Sequence, residues 1–251
     1  MRIKVINPNT TLSMTATIRT AAAGVAAPGT EIVAVSPSMG PVSIEGHYDE
    51  AMSAIGVLEE IRNGEAEGFD GYVIACFGDP GLLAAREVAR GPVIGIAEAA
   101  MHVASLIATG FSIVSTLGRT RVIAEHLVEA YGMTSKCRSF RTTELAVLDL
   151  EKEGSDAQRR IIEECRRALA EDHADCVLLG CAGMADLSAT VSKAIGAPVV
   201  EGVTAAVKLV EALVALGLRT SKNEGYAFPL PKRYVGALER FAPEPPMAAA
   251  E

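Results

Sequence analysis

The chain has 251 residues, of which 49% are hydrophobic and 22% charged, and a formal net charge of −8. Its size and apolar content allow one large domain or two of ordinary size, and the acidic balance argues against nucleic acid, where phosphate contacts need clustered Lys and Arg. Aromatic residues are few, and Ala, Val, Ile and Gly dominate the apolar content, as tightly packed parallel α/β structure requires.

Residues 3–6 read as a short strand that stops at Asn7-Pro8-Asn9-Thr10-Thr11. Thr10 or Thr11 can cap a helix bearing Met14 and Ile18 on one face. Residues 31–35 form the second strand. The small-residue stretch 38–46 is a loop, and a helix over 48–62 places Met52, Ile55 and Leu58 at helical spacing. Strand 71–76, helix 82–89, strand 92–96 and helix 98–108 complete the first half. The second half follows the same plan: strand 111–115, helix 122–131, strand 137–140, a loop or turn over 144–149, helix 158–171, strand 176–180, helix 185–195, strand 198–200 and helix 204–216. The tail from Phe241 is expected to fray.

This is an internal repeat. Cys181 follows Cys76 by 105 residues, Pro198 follows Pro92 by 106, and Ser115-Thr116-Leu117-Gly118-Arg119 follows Ile6-Asn7-Pro8-Asn9-Thr10 by 109. The expected fold is α/β, with two pseudo-symmetric lobes. Each lobe has a mainly parallel four-stranded sheet flanked by helices, and the active site lies in the cleft between them. The expected lobes are 1–97 with 205–230 and 98–204, and 231–251 forms a C-terminal extension.

The five cysteines are odd in number, form no C-x-x-C and do not combine with the four histidines at zinc-finger spacings, so no metal is expected. No apolar run reaches membrane-spanning length, and the N-terminal run is too short for a signal peptide. A cytoplasmic chain with reduced thiols is the expectation. Cys76 and Cys181 both end buried strands and precede Gly-bearing turns. A lone cysteine is most simply a buried apolar residue. Two at matched strand ends instead suit proton removal from one face of a carbon and proton return to the other. A free thiol titrates near ~8.5, and a helix N-terminus or peptide N–H groups lower that value. Peptide N–H groups of Phe77-Gly78-Asp79 and Ala182-Gly183-Met184 could hold the oxyanion. Cys137, Cys165 and Cys176 lack this context and read as structural.

Ile6-Asn7-Pro8-Asn9-Thr10, Ser43-Ile44-Glu45-Gly46, Ala75-Cys76-Phe77-Gly78-Asp79 and Gly180-Cys181-Ala182-Gly183-Met184 resemble the hydantoin/allantoin racemase branch of the aspartate/glutamate racemase superfamily. The likeness runs to about Pro231. The Cys76 turn and Gly95-Ile96-Ala97-Glu98-Ala99-Ala100-Met101-His102 look most like allantoin racemases. The resemblance implies a cofactor-independent racemase using Cys76 and Cys181, with Pro8, Asn9, Ser43, Ile44, Phe77, Gly78, Asp79, Thr116, Ala182 and Gly183 at the substrate. It also implies a homo-oligomer, often a hexamer in this branch; a role in purine catabolism follows only from allantoin as the substrate. Amino-acid racemases of the superfamily often carry Thr or Asn after the first cysteine and Thr-His after the second. Phe77-Gly78 and Ala182-Gly183 replace them here, which disfavours a glutamate or aspartate substrate and fits a neutral ureido or hydantoin ring.

Several residues carry two readings. Asn9 serves as a turn former or as a partner for an imide or ureido group. The 43–46 stretch is a turn or a loop over the ligand, and Asp79 is a cap for the next helix or a substrate contact. Glu201, in the repeat position of Gly95, reaches the cleft or holds a loop. Arg119 and His102 read as solvated and structural, and Glu45 and His47 stay open. Alternatives to allantoin are other 5-substituted hydantoins, a cysteine-dependent isomerase or decarboxylase on the same scaffold, or a two-lobed binding module.

Overall fold

Apolar runs become strands and the amphipathic stretches become helices in the computed structural model, which describes residues 1–151 and 156–243. The first half runs β1 (Arg2–Ile6), α1 (Leu12–Val25), β2 (Glu31–Val35), α2 (His47–Glu67), β3 (Gly71–Ile74), α3 (Leu82–Val88), β4 (Val93–Gly95) and α4 (Ile96–Ile107). The second runs β5 (Phe111–Ser115), α5 (Arg121–Ala130), β6 (Cys137–Thr142), α6 (Ala157–Glu171), β7 (Cys176–Leu179), α7 (Ser188–Ile195), β8 (Val199–Glu201) and α8 (Gly202–Ala215).

Two parallel four-stranded sheets result, ordered β2-β1-β3-β4 and β6-β5-β7-β8. The repeat seen in the sequence is therefore a repeat of topology. β3 and β7 are buried at every position, as central strands covered on both faces must be. α2 and α3 pack Val57, Ile61, Leu82 and Ala85 on the outer face of the first sheet, and α6 and α7 pack Ile161, Cys165, Ala168 and Val191 on that of the second.

The inner layer joins the halves. α4 leaves the first sheet yet packs on β7 and β8, while α8 leaves the second and packs on β3 and β4. The two helices also pack on each other. α4 buries Ile96, Ala97, Ala99, Ala100, Met101 and Ala104, which lie on more than one face, as a helix between two layers must. Their starts approach closely: a Cβ on Gly202 would sit 2.5 Å from the Ile96 carbonyl oxygen, so only glycine fits.

Several boundaries differ from expectation. β3 ends at Ile74, because its neighbour β4 ends at Gly95 and no ladder continues beyond that pair. α4 and α8 start directly after their strands, earlier than periodicity suggested, and α7 starts at Ser188, later. Within the stretch expected as loop or turn, a 3-10 turn covers Val147–Glu151. Residues 219–243 return to the first half: Thr220 N–H donates to Arg90 O, Lys222 donates to Arg86 O and Glu87 O, and Arg240 pairs with Glu59. The tail expected to fray lies, beyond Pro243, outside the described residues. Among the described residues no helix is long and apolar enough to cross a membrane, and no group of three or more His, Cys, Asp and Glu is placed to hold a metal ion.

Candidate active site

The carboxyl ends of the two sheets meet at one pocket. The first half lines it with Asn9, Ile44, Gly46, Glu50 and Ala75 to Gly78, and the second with Ser115, Thr116, Thr120, Phe140, Val147 and Gly180 to Ala182. Met14 of α1 and Ile123 and Ala124 of α5 complete the wall.

Each cysteine stands two residues past its strand in the same local geometry. Ala75 N–H donates to Ile6 O at 2.8 Å, and Gly180 N–H to Val114 O at 2.8 Å, so the last ladder bond of each half is equivalent. A three-residue turn then closes on the cysteine carbonyl: Asp79 N–H to Cys76 O and Met184 N–H to Cys181 O, both at 3.0 Å. Two of the six turn N–H groups expected to face an oxyanion are thereby occupied. A third, that of Gly78, donates to the Cys76 sulfur.

Burial pushes the Cys76 thiol well up, against the Gly78 N–H, and Cys181, Asp79 and Glu50 push in the same direction as burial. No α-helix begins at either cysteine, since α3 starts six residues after Cys76 and α7 seven after Cys181; Cys181 is followed directly by a single 3-10 turn over Ala182–Met184. Cys137, Cys165 and Cys176 lie away from the pocket, and burial raises their thiols to about 11, 12 and 11 respectively.

Asn9 has a fixed polarity. Its Oδ1 accepts from Asn7 Nδ2 and from the Thr11 N–H, both at 2.9 Å, which leaves Nδ2 beside Met14 Sδ at the pocket wall. A backbone N–H can only donate, so the Asn9 atom that faces the Thr11 N–H is the amide oxygen. Asn9 presents a donor. Ile44 lies on a loop pinned by Thr10 N–H to Pro41 O at 3.0 Å and Thr11 Oγ1 to Val42 O at 2.7 Å. Glu45 ties the same loop to the other half by accepting from Val147 N–H at 2.9 Å.

Ile44, Phe77, Gly78, Thr116 and Ala182 line the pocket with Asn9 and the two cysteines; Pro8 and Ser43 do not. Gly183 sits behind the wall, where a Cβ would lie 3.6 Å from both Cys181 Sγ and Met14 Cε. Asp79 is turned away from the pocket. It caps α4, two helices' starts beyond its own turn rather than the next one: Oδ1 accepts from Ala97 N–H and Oδ2 from Glu98 N–H and the Tyr131 hydroxyl. Glu201 caps α8 through Val203 N–H and Thr204 N–H. Arg119 is exposed and its guanidinium lies against Gly46.

Glu50 was not anticipated. It stands in the first turn of α2 with its side chain about a quarter exposed, and its Oε2 lies 3.5 Å from His47 Nδ1. Burial raises its carboxyl, and His47 and then His126 oppose that.

This arrangement has close relatives. The family described as Asp/Glu/Hydantoin racemase matches residues 3–210. The chain belongs to that family. Membership makes it an enzyme, a racemase. Relatives of the Asp/Glu/hydantoin racemase family include a hydantoin racemase from Pseudomonas sp. (strain NS671), 52% identical over 96% of this chain and 97% of the relative. An allantoin racemase from Klebsiella pneumoniae is 56% identical and superposes with a TM-score of 0.95, covering 97% of this chain and all of that one. The allantoin racemase of Pseudomonas fluorescens, 41% identical, reaches 0.91 over 94% of this chain and all of that one.

Proposed function

We propose that the chain racemises allantoin at the hydantoin ring carbon by two-base proton transfer between Cys76 and Cys181. The observation that carries this reading is that two cysteines at equivalent places in the two halves line a single pocket. The names of the relatives, hydantoin racemase and allantoin racemase, support the substrate class.

The ring carbon lies beside an amide carbonyl, so its hydrogen is acidified. The thiolate on one face takes that proton, the C–H electron pair becomes the carbon–carbon π bond as the carbonyl π pair moves to oxygen, and an enolate forms. The thiol on the other face then protonates the same carbon, and the enantiomer leaves with the thiol and thiolate exchanged. Cys76 enters as the acid for the enantiomer whose hydrogen faces Cys181, and Cys181 as the acid for the other. Asn9 Nδ2 and the N–H groups of Phe77 and Ala182 are the donors available to the enolate oxygen. Every step is proton transfer, so no cofactor is called for.

Enantiopure allantoin incubated with the enzyme alone should lose its optical rotation. Replacing either Cys76 or Cys181 by Ser should slow that loss by at least about a hundredfold, the scale of general acid–base catalysis. A racemising single variant would remove the two-base mechanism, and a stable rotation with wild-type enzyme would remove the substrate.

A further inference from the structure

The two cysteine turns share a backbone pattern but are fastened differently. Asp79, which ends the Cys76 turn, has a φ of 46°, a left-handed conformation that a side chain rarely adopts unless something holds it. The hold is its own carboxyl. Only 5% exposed, Asp79 accepts from Ala97 N–H at 3.0 Å and Glu98 N–H at 2.9 Å at the start of α4, and from the Tyr131 hydroxyl at 2.7 Å. Tyr131 closes α5, the second-half helix whose Ile123 and Ala124 form part of the pocket wall, and it packs against both the inner core and the outer core of the first sheet. The Gly78 N–H that donates to the Cys76 sulfur comes from the residue before Asp79, and the Asp79 N–H closes the turn on Cys76 O. Fixing Asp79 therefore fixes the turn around the sulfur. Met184 takes the place of Asp79 in the other half. Its N–H closes the Cys181 turn, its side chain is buried in the outer core of the second sheet, and α8 is capped by Glu201 from the end of its own strand.

We propose that Asp79 and Tyr131 are positioning residues for Cys76 alone: their hydrogen bond clasps the Cys76 turn to α5 and keeps the sulfur in line with the ring carbon, although neither residue lines the pocket. The inference rests on the two-cysteine reading and adds to it the pair that aims one of the two bases. A reacting group misplaced by about an ångström loses about a hundredfold in rate. Loosening the clasp should therefore slow proton transfer through Cys76 and leave transfer through Cys181 intact. The two are separable in deuterated water. From the enantiomer whose hydrogen faces Cys181, the enolate forms as before but waits longer for Cys76 to deuterate the far face. Cys181, its proton exchanged for deuterium from solvent, then more often returns a deuteron to the face it left. Deuterium enters without inversion. From the other enantiomer Cys181 delivers at its normal rate, and no such excess arises.

The test is chiral chromatography at early conversion, with proton NMR of each fraction, on each enantiomer of allantoin with wild type, Tyr131→Phe and Asp79→Asn. It yields the ratio of deuterium uptake with retention to racemisation. Cys76→Ser identifies the enantiomer whose hydrogen faces Cys181, as the one it still exchanges. For that enantiomer the ratio should rise about threefold or more in Tyr131→Phe, which removes one of the three donors to the carboxyl, and about tenfold or more in Asp79→Asn. For the other enantiomer it should not rise. Both rates come from the same folded molecules, so partial unfolding of a variant cancels from the ratio. A smaller rise in either variant, or a matching rise for the other enantiomer, overturns the inference. Racemisation by Cys76→Ser would instead overturn the two-cysteine reading on which it rests.

Discussion

Gly95 and Glu201 occupy equivalent places, at the ends of β4 and β8, and each is linked to a buried carboxyl that caps the helix starting there. In the second half Glu201 supplies the carboxyl itself. In the first half it comes from Asp79, and a Cβ on Gly95 would overlap the Asp79 carboxyl, so the position must be glycine. Gly95→Ala should therefore displace the cap and cost at least about 2 kcal/mol in urea unfolding, from overpacking plus a lost cap. A cost within about 0.5 kcal/mol would show that Asp79 has somewhere else to go. Burial pushes both carboxyls up to about 7. Unfolded, they titrate near ~4, so between those values the folded chain holds protons that the unfolded chain has released. Their contribution to stability is full below pH ~4, is lost as the pH rises to about 7, and stays flat above. The urea midpoint should fall between pH 5.5 and pH 8, a range that avoids Asp172, held down at about 2 by Arg141. The Asp79→Asn/Glu201→Gln double variant should flatten that fall; an equal fall in the variant would assign it to other groups.

At the scale of elements, most strands were legible because they are apolar runs that end near Gly, Pro or Asn; β6, with Arg138, Ser139 and Arg141, is not such a run and was read two residues short, and the order of strands in each sheet is set by the fold. The places where Cys76 and Cys181 leave the sheet were legible for the same reason. Strand ends and helix starts were less so, because hydrogen-bond partners decide them: Ile74 closes β3 since β4 stops at Gly95. Asp79 looked like a cap for the next helix, yet its partners lie 18 and 19 residues on, a pairing that only the fold creates. Glu50, Ile123 and Phe140 reach the pocket through the docking of α2, α5 and β6, and no local pattern announces that. The loop before α2 shows what such docking does. Glu45 holds it to the Val147–Glu151 turn, and Ile44 and Val147 both line the pocket. Glu45→Ala should raise the KM for allantoin severalfold while moving the urea midpoint little, because the bond ties a pocket-lining loop to the other half and lies outside the core. An unchanged KM would mean that the clasp does not order the pocket.

At the scale of the molecule, the topological repeat brings two separate turns to one pocket, as the proposed action on one carbon requires. Parallel sheets present their functional turns at their carboxyl ends. Here the exchange of α4 and α8 between the sheets, with Gly202 against Ile96 where the helices begin, brings both ends to a shared pocket. The inner core is continuous across the halves, running from Ile3, Val5 and Val73 through α4 and α8 to Phe111, Ile113 and Leu178. The two sulfurs are thus positioned by packed helices as well as by their own turns. The central claim is that each sulfur serves one face of the ring carbon. Its most direct test is hydrogen exchange at that carbon in deuterated water, followed by proton NMR, for each enantiomer of allantoin with Cys76→Ser and with Cys181→Ser. Each variant should exchange the hydrogen of one enantiomer without racemising it, and the two variants should choose opposite enantiomers. Exchange of the same enantiomer by both variants, or racemisation by either, would contradict the account.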